Sequence, residues 1–83
     1  MHKAKTAGGR ANICGVHLKN MRKAMRPKCS QRAFADRLQL LGLDVDKNAV
    51  QLIECGKRTV SDIELKVIAK ALEVPVEELL KEE

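Results

Sequence analysis

The chain has 83 residues, 45% of them hydrophobic, with a single aromatic residue, Phe34, and a formal net charge of +5. That length allows one small domain with a modest core, filled here by aliphatic side chains and Met. No apolar run is long enough to span a membrane. Cys14, Cys29 and Cys55 form neither a CxxC pair nor a zinc-ligand spacing, so no metal site is expected. With no signal peptide in view, they fit reduced thiols in a cytoplasm.

The charge is unevenly placed. Residues 1–35 hold nine of the Lys and Arg residues and no Asp or Glu; residues 36–83 hold seven basic residues and all eleven acidic ones. A basic front half can meet a polyanion, because each neutralised phosphate releases counterions. The acidic end, from Glu73 to Glu83, is expected to face away from one. The bland alternative is a solvated surface.

Residues 1–11 mix Lys, Arg, Gly and Ala without apolar periodicity and read as a flexible basic N-terminal tail; the domain is expected over 12–83. A first helix is predicted from Asn12 to Met25, with Cys14, Leu18, Met21 and Met25 on one stripe and Lys19, Arg22, Lys23 and Arg26 off it. Pro27 ends it. On that stripe Cys14 is a small core residue, not a reactive thiol. His2 and His17 have no partners that would make them ligands.

Residues 30–58 organise the rest. Ser30 is a capping residue ahead of Phe34, Ala35 and Leu38 on one helical face. A turn follows around Gly42. Asp46 can cap a short third helix in which Val50 and Ile53 share a side, and Gly56 stands where a helix end needs positive φ. Apolar residues flank each cap as staples: Cys29 with Phe34, Val45 with Val50, and Val60 with Leu65 around Ser61. Ser61 and Glu64 form the S-x-x-E capping box. The fourth helix, Asp62 to Leu72, points Leu65, Ile68, Ala69 and Leu72 inward. Val74–Pro75–Val76 breaks it, and a last short helix is predicted over Val76 to Lys81. The pattern is a compact all-α domain of five helices. Its second and third helices have the layout of a helix-turn-helix.

Over residues 14–80 the chain resembles the phage repressor and Cro type of helix-turn-helix domain. The residues that carry the resemblance are Cys14–Gly15, Leu18, Met21 and Arg22, then Ser30–Gln31 with Ala35 and Leu38. Val50, Ile53–Glu54, Gly56–Lys57–Arg58, Leu65, Ile68–Ala69–Lys70–Ala71–Leu72 and Val74 to Leu80 continue it. Three features depart from the family pattern. The connection between helices two and three is longer, so helix two is expected to run on to Leu41, with Gly42 capping it and Leu43 packed inward. The segment Met25 to Cys29 is also longer. Glu73 and Pro75 stand where the family often has a Gly and a Ser cap.

The resemblance implies a lambda-repressor-like fold and a bacterial or phage DNA-binding regulator, cytoplasmic and nucleoid-associated. In such a domain the third helix enters the major groove. Lys47, Asn48, Gln51 and Leu52 would face base edges: Lys on guanine, Asn and Gln on adenine, Leu against a thymine methyl. Asp46 is a cap. Gln31 would bond a phosphate and brace a side chain of helix three, with Lys57, Arg58 and Thr59 along the backbone. Arg22, Lys23 and Arg32 are further phosphate candidates. The family match also makes Arg22 the partner of Glu54 in a structural ion pair.

The function expected is a sequence-specific regulator, a repressor, on a palindromic operator in double-stranded DNA. It would act as a weak homodimer through its C-terminal helix with Val74 and Val76. The competing expectation is a protein-interaction module of the same fold, an antitoxin or a binder of another regulator. Lys47, Asn48 and Gln51 favour DNA. No catalytic constellation or nucleotide-binding Gly loop is present in context, so no enzyme activity and no cofactor are expected.

Overall fold

Three of the helices start where a side-chain oxygen precedes an apolar stripe. A computed structural model describes residues 9–82, and all five helices among them are α-helices, with no strand. Helix α1 spans Cys14–Ala24, α2 Gln31–Leu40, α3 Lys47–Glu54, α4 Asp62–Leu72 and α5 Val76–Leu79. Ser30 Oγ accepts from the Ala33 N–H at 3.0 Å, and Asp46 Oδ1 from the Ala49 N–H at 2.8 Å. Ser61 Oγ accepts from the Glu64 N–H at 3.1 Å while the Glu64 carboxylate accepts from the Ser61 N–H at 3.0 Å, completing the capping box. Each such cap is worth about 1 kcal/mol.

Helix α4 ends at Leu72 and α5 starts at Val76, as expected, whereas other boundaries differ from the sequence reading. Helix α1 begins at Cys14, not Asn12, because the Asn12 side chain stays outside the helix and accepts the Gly15 N–H at 2.7 Å. It ends at Ala24, one residue short of Met25, and the Arg26–Pro27 bond beyond it is cis. Helix α2 stops at Leu40, with Leu41 as its cap and Gly42 at φ +95°. The Leu43 N–H then returns to the Leu38 carbonyl at 2.9 Å, which tucks Leu43 against the core as expected. Helix α5 is a single turn that ends before Lys81.

The core is built from Phe34, Leu18, Leu38, Ile53, Ile68, Leu79, Val50 and Cys14, all fully buried. Cys29, Phe34, Val45 and Val50, four of the predicted staple residues, belong to it, and Val60 and Leu65 pack against it. Helix α3 packs against α1 and α2, α4 against α1 and α2, and α5 against α1 and α4. Among the described residues no helix is long and apolar enough to cross a membrane. Residues 1–8, most of the predicted tail and His2 with it, lie outside the described residues. The folded part begins earlier than residue 12, since the Ala11 N–H donates to the Gly56 carbonyl at 2.7 Å.

Helix α4 ends on a residue that is poor for its conformation. Glu73 is left-handed, φ +58°, and exposed. The turn is fixed by the Val74 N–H on the Ala69 carbonyl at 3.0 Å. An L-residue with a Cβ pays for that conformation and glycine does not. Glu73→Gly is therefore expected to raise stability by about 1 kcal/mol in urea unfolding. A lower unfolding midpoint would show that the Glu73 side chain contributes more than its backbone costs.

Candidate nucleic-acid interface

Helix α3 presents two chemically different sides. Val50, Ile53 and Glu54 are buried, whereas Lys47, Asn48, Gln51 and Leu52 are exposed. Lys47 and Gln51, and Asn48 and Leu52, are four residues apart and so share the outward face. No described residue bonds the side chains of Lys47, Asn48 or Gln51, so their donors and acceptors point to solvent. The Asp46 carboxylate is committed to its cap.

The inward end of α3 is fixed by charge. Arg22 Nε and Nη2 meet the two Glu54 oxygens at 2.7 and 3.0 Å, a bidentate pair with side chains 9% and 3% exposed. Arg22 Nη1 donates to the Cys29 carbonyl at 2.9 Å, and Gln31 Nε2 donates to Glu54 Oε1 at 3.0 Å. The hydrogen bond to Glu54 pushes the Arg22 guanidinium further above its ordinary pKa. One carboxylate thus ties α1, the start of α2 and the end of α3 together. The ion pair is the one the family resemblance implied.

Several phosphate candidates are placed differently. Arg22 is buried and fully engaged, so it is not a surface contact. Gln31 is half-buried and gives one amide hydrogen to Glu54, a helix-three side chain. Arg58 turns away from α3: its Nη2 pairs with Glu64 Oε2 at 2.8 Å, and its Nη1 is buried with no hydrogen-bond partner. Lys57 and Thr59 are exposed, after Gly56 at φ +82° lets the Lys57 N–H reach the Leu52 carbonyl at 2.9 Å. Lys23 and Arg32 are exposed, as are Lys19, Arg26 and Lys28 in the same carboxylate-free part of the chain.

The C-terminal helix offers less free apolar surface than the sequence suggested. Leu79 is spent in the core, Val74 and Val76 are half-buried, and Leu80 is 44% exposed. Asn12 is the residue that sequence reasoning missed. It is buried, and its amide bridges the Ile53 and Arg58 carbonyls at 3.0 and 2.7 Å. Helical spacing, which put Asn12 at the start of the first helix, carries no signal for these long-range bonds.

The thiols differ in the same way. Cys14 is buried, which pushes its pKa up to about 11, and Cys29 is buried, while Cys55 is exposed. A thiol-alkylating reagent at neutral pH is expected to label Cys55 alone in the folded protein, because the thiolate is the reacting species. Equal labelling of Cys14 by mass spectrometry would contradict that core. Comparison with models of known protein families, with curated proteins and with solved structures finds no match.

Proposed function

We propose that the chain is a sequence-specific DNA-binding transcriptional regulator, a repressor, in which α2 and α3 form a helix-turn-helix and α3 enters the major groove. The observation that carries this reading is the outward face of α3. Lys47, Asn48, Gln51 and Leu52 are exposed together while the opposite face is locked into the core. Lys can donate to guanine O6 and N7, Asn and Gln can pair with adenine N6 and N7, and Leu52 can touch a thymine methyl. Lys57, Thr59 and the second amide hydrogen of Gln31 suit phosphates, which position without reading sequence. Arg58, turned to Glu64, has a smaller part. Two copies would bind the halves of a palindromic site, with Leu80 and the edges of Val74 and Val76 as the contact.

A second reading, a protein-interaction module of the same fold, is favoured by Leu40 and Ile63, which are 88% and 71% exposed. Amide chemical shifts separate the two when a mixed-sequence duplex is titrated at low salt. The DNA reading expects the largest shifts at residues 47–52 and 57–59. Shifts confined to the α1 and α2 cations would place DNA away from α3.

A further inference from the structure

The C-terminal end of α3 is closed by residues 10–12. Arg10 Nη2 donates to the Glu54 carbonyl at 2.8 Å and lies 3.5 Å from the Ile53 carbonyl. The Ala11 N–H bonds the Gly56 carbonyl at 2.7 Å. Asn12 gives Nδ2 to the Ile53 carbonyl at 3.0 Å and takes the Gly15 N–H on Oδ1 at 2.7 Å. A helix leaves its last carbonyls without partners of its own. Here this segment serves the last two of α3, and a cation at that end also suits the helix dipole.

The fit is tight. A Cβ on Gly56 would come within 2.8 Å of Arg10 Cζ, and a Cβ on Gly15 would strike the Ile53 carbonyl oxygen. Two glycines therefore clear the space in which the segment and α1 meet the end of α3.

We propose that residues 10–12 set the pose of α3, and that Arg10 is a positioning residue for sequence discrimination that does not itself touch DNA. The proposal rests on the DNA-binding reading above. Helix α3 has 8 residues, with Lys47 and Asn48 in its first turn and Gln51 and Leu52 in its second. Its C-terminal end is held twice, by the Arg22–Glu54–Gln31 bonds on the side chains and by residues 10–12 on the backbone. Bonds to base edges tolerate displacements of only about 0.5 Å. A flexible Lys on a phosphate tolerates more. Loosening one anchor lets the helix pivot, which costs discrimination before it costs phosphate attraction.

The test compares the full-length wild type, Arg10→Ala and Arg10→Lys. Affinity is titrated at several salt concentrations for the duplex enriched from a random library and for a scrambled duplex. Amide exchange is followed in parallel. Arg10→Ala is expected to bind the enriched duplex roughly tenfold more weakly, the worth of one displaced base contact. The scrambled duplex and the salt slope stay unchanged, and Arg10→Lys recovers most of the loss. Exchange at Ala11 and Lys57 speeds up while that at Leu38 does not.

If both duplexes weaken together and the slope falls by about 0.9, Arg10 is a phosphate contact and the proposal is wrong. Unchanged discrimination in Arg10→Ala also overturns it. A wild type that prefers no duplex defeats the DNA-binding reading, and discrimination by Arg10 with it. The exchange rates then still decide whether residues 10–12 hold α3, and unchanged rates at Ala11 and Lys57 would show that they do not.

Discussion

Glu54→Ala is expected to lower stability by about 3–5 kcal/mol, the cost of stranding one partner of a buried ion pair. The magnitude follows from what is left behind. The Arg22 guanidinium, its side chain 9% exposed, would keep only the Cys29 carbonyl, and the Gln31 amide would lose its acceptor. A small domain holds about 5–15 kcal/mol in all, so the variant would stand near its unfolding threshold. In thermal unfolding the midpoint falls by more than about 10 °C. An unchanged midpoint would contradict the pairing. Arg22→Met combined with Glu54→Leu is expected to lose less than Glu54→Ala alone, because it buries no unpaired charge. That result would assign the pair chiefly to geometry, as an anchor of α3 against α1 and α2.

The second large effect is on binding. Asn48→Ala with Gln51→Ala is expected to weaken the specific complex by about 10²-fold or more, at 1–3 kcal/mol for each lost bidentate reader. Stability moves by less than about 0.5 kcal/mol, since both side chains are exposed and no described residue bonds them. Affinity for a scrambled duplex and its salt dependence stay as in the wild type, because neither residue neutralises a phosphate. Equal losses on both duplexes would mean that the outward face of α3 does not read bases.

The sequence made local chemistry legible and long-range chemistry much less so. Ser30, Asp46 and Ser61 announced three helix starts because a cap is decided within three residues of itself. Burial of Phe34, Leu38, Val50 and Ile53 followed from helical spacing. Periodicity alone put Arg22 off the apolar stripe of α1, yet it is buried while Met21 and Met25 are only half-buried. Helix α1 packs against α3, α4 and α5, so one stripe cannot describe its buried surface. Only the family resemblance pointed to Glu54 as its partner.

Arg10 and Asn12 were illegible for a related reason. Their bonds to the end of α3 span more than forty positions of chain, and the Gly-rich segment around them has no period to read. Arg58 looked like a surface cation because Glu64 was accounted for by its capping box, although a carboxylate can accept from both. The last helix was drawn too long because Leu79 and Leu80 both count as apolar, while only Leu79 reaches the core.

The central claim is that α3 reads a DNA sequence. Selection from a random duplex library, with the enriched site then titrated against bulk DNA, tests it most directly. The predicted result is a palindromic site that outcompetes bulk DNA by about 10³-fold or more. Enrichment of no sequence, with binding lost by physiological salt, would contradict it and leave the basic half of the chain as a non-specific polyanion surface.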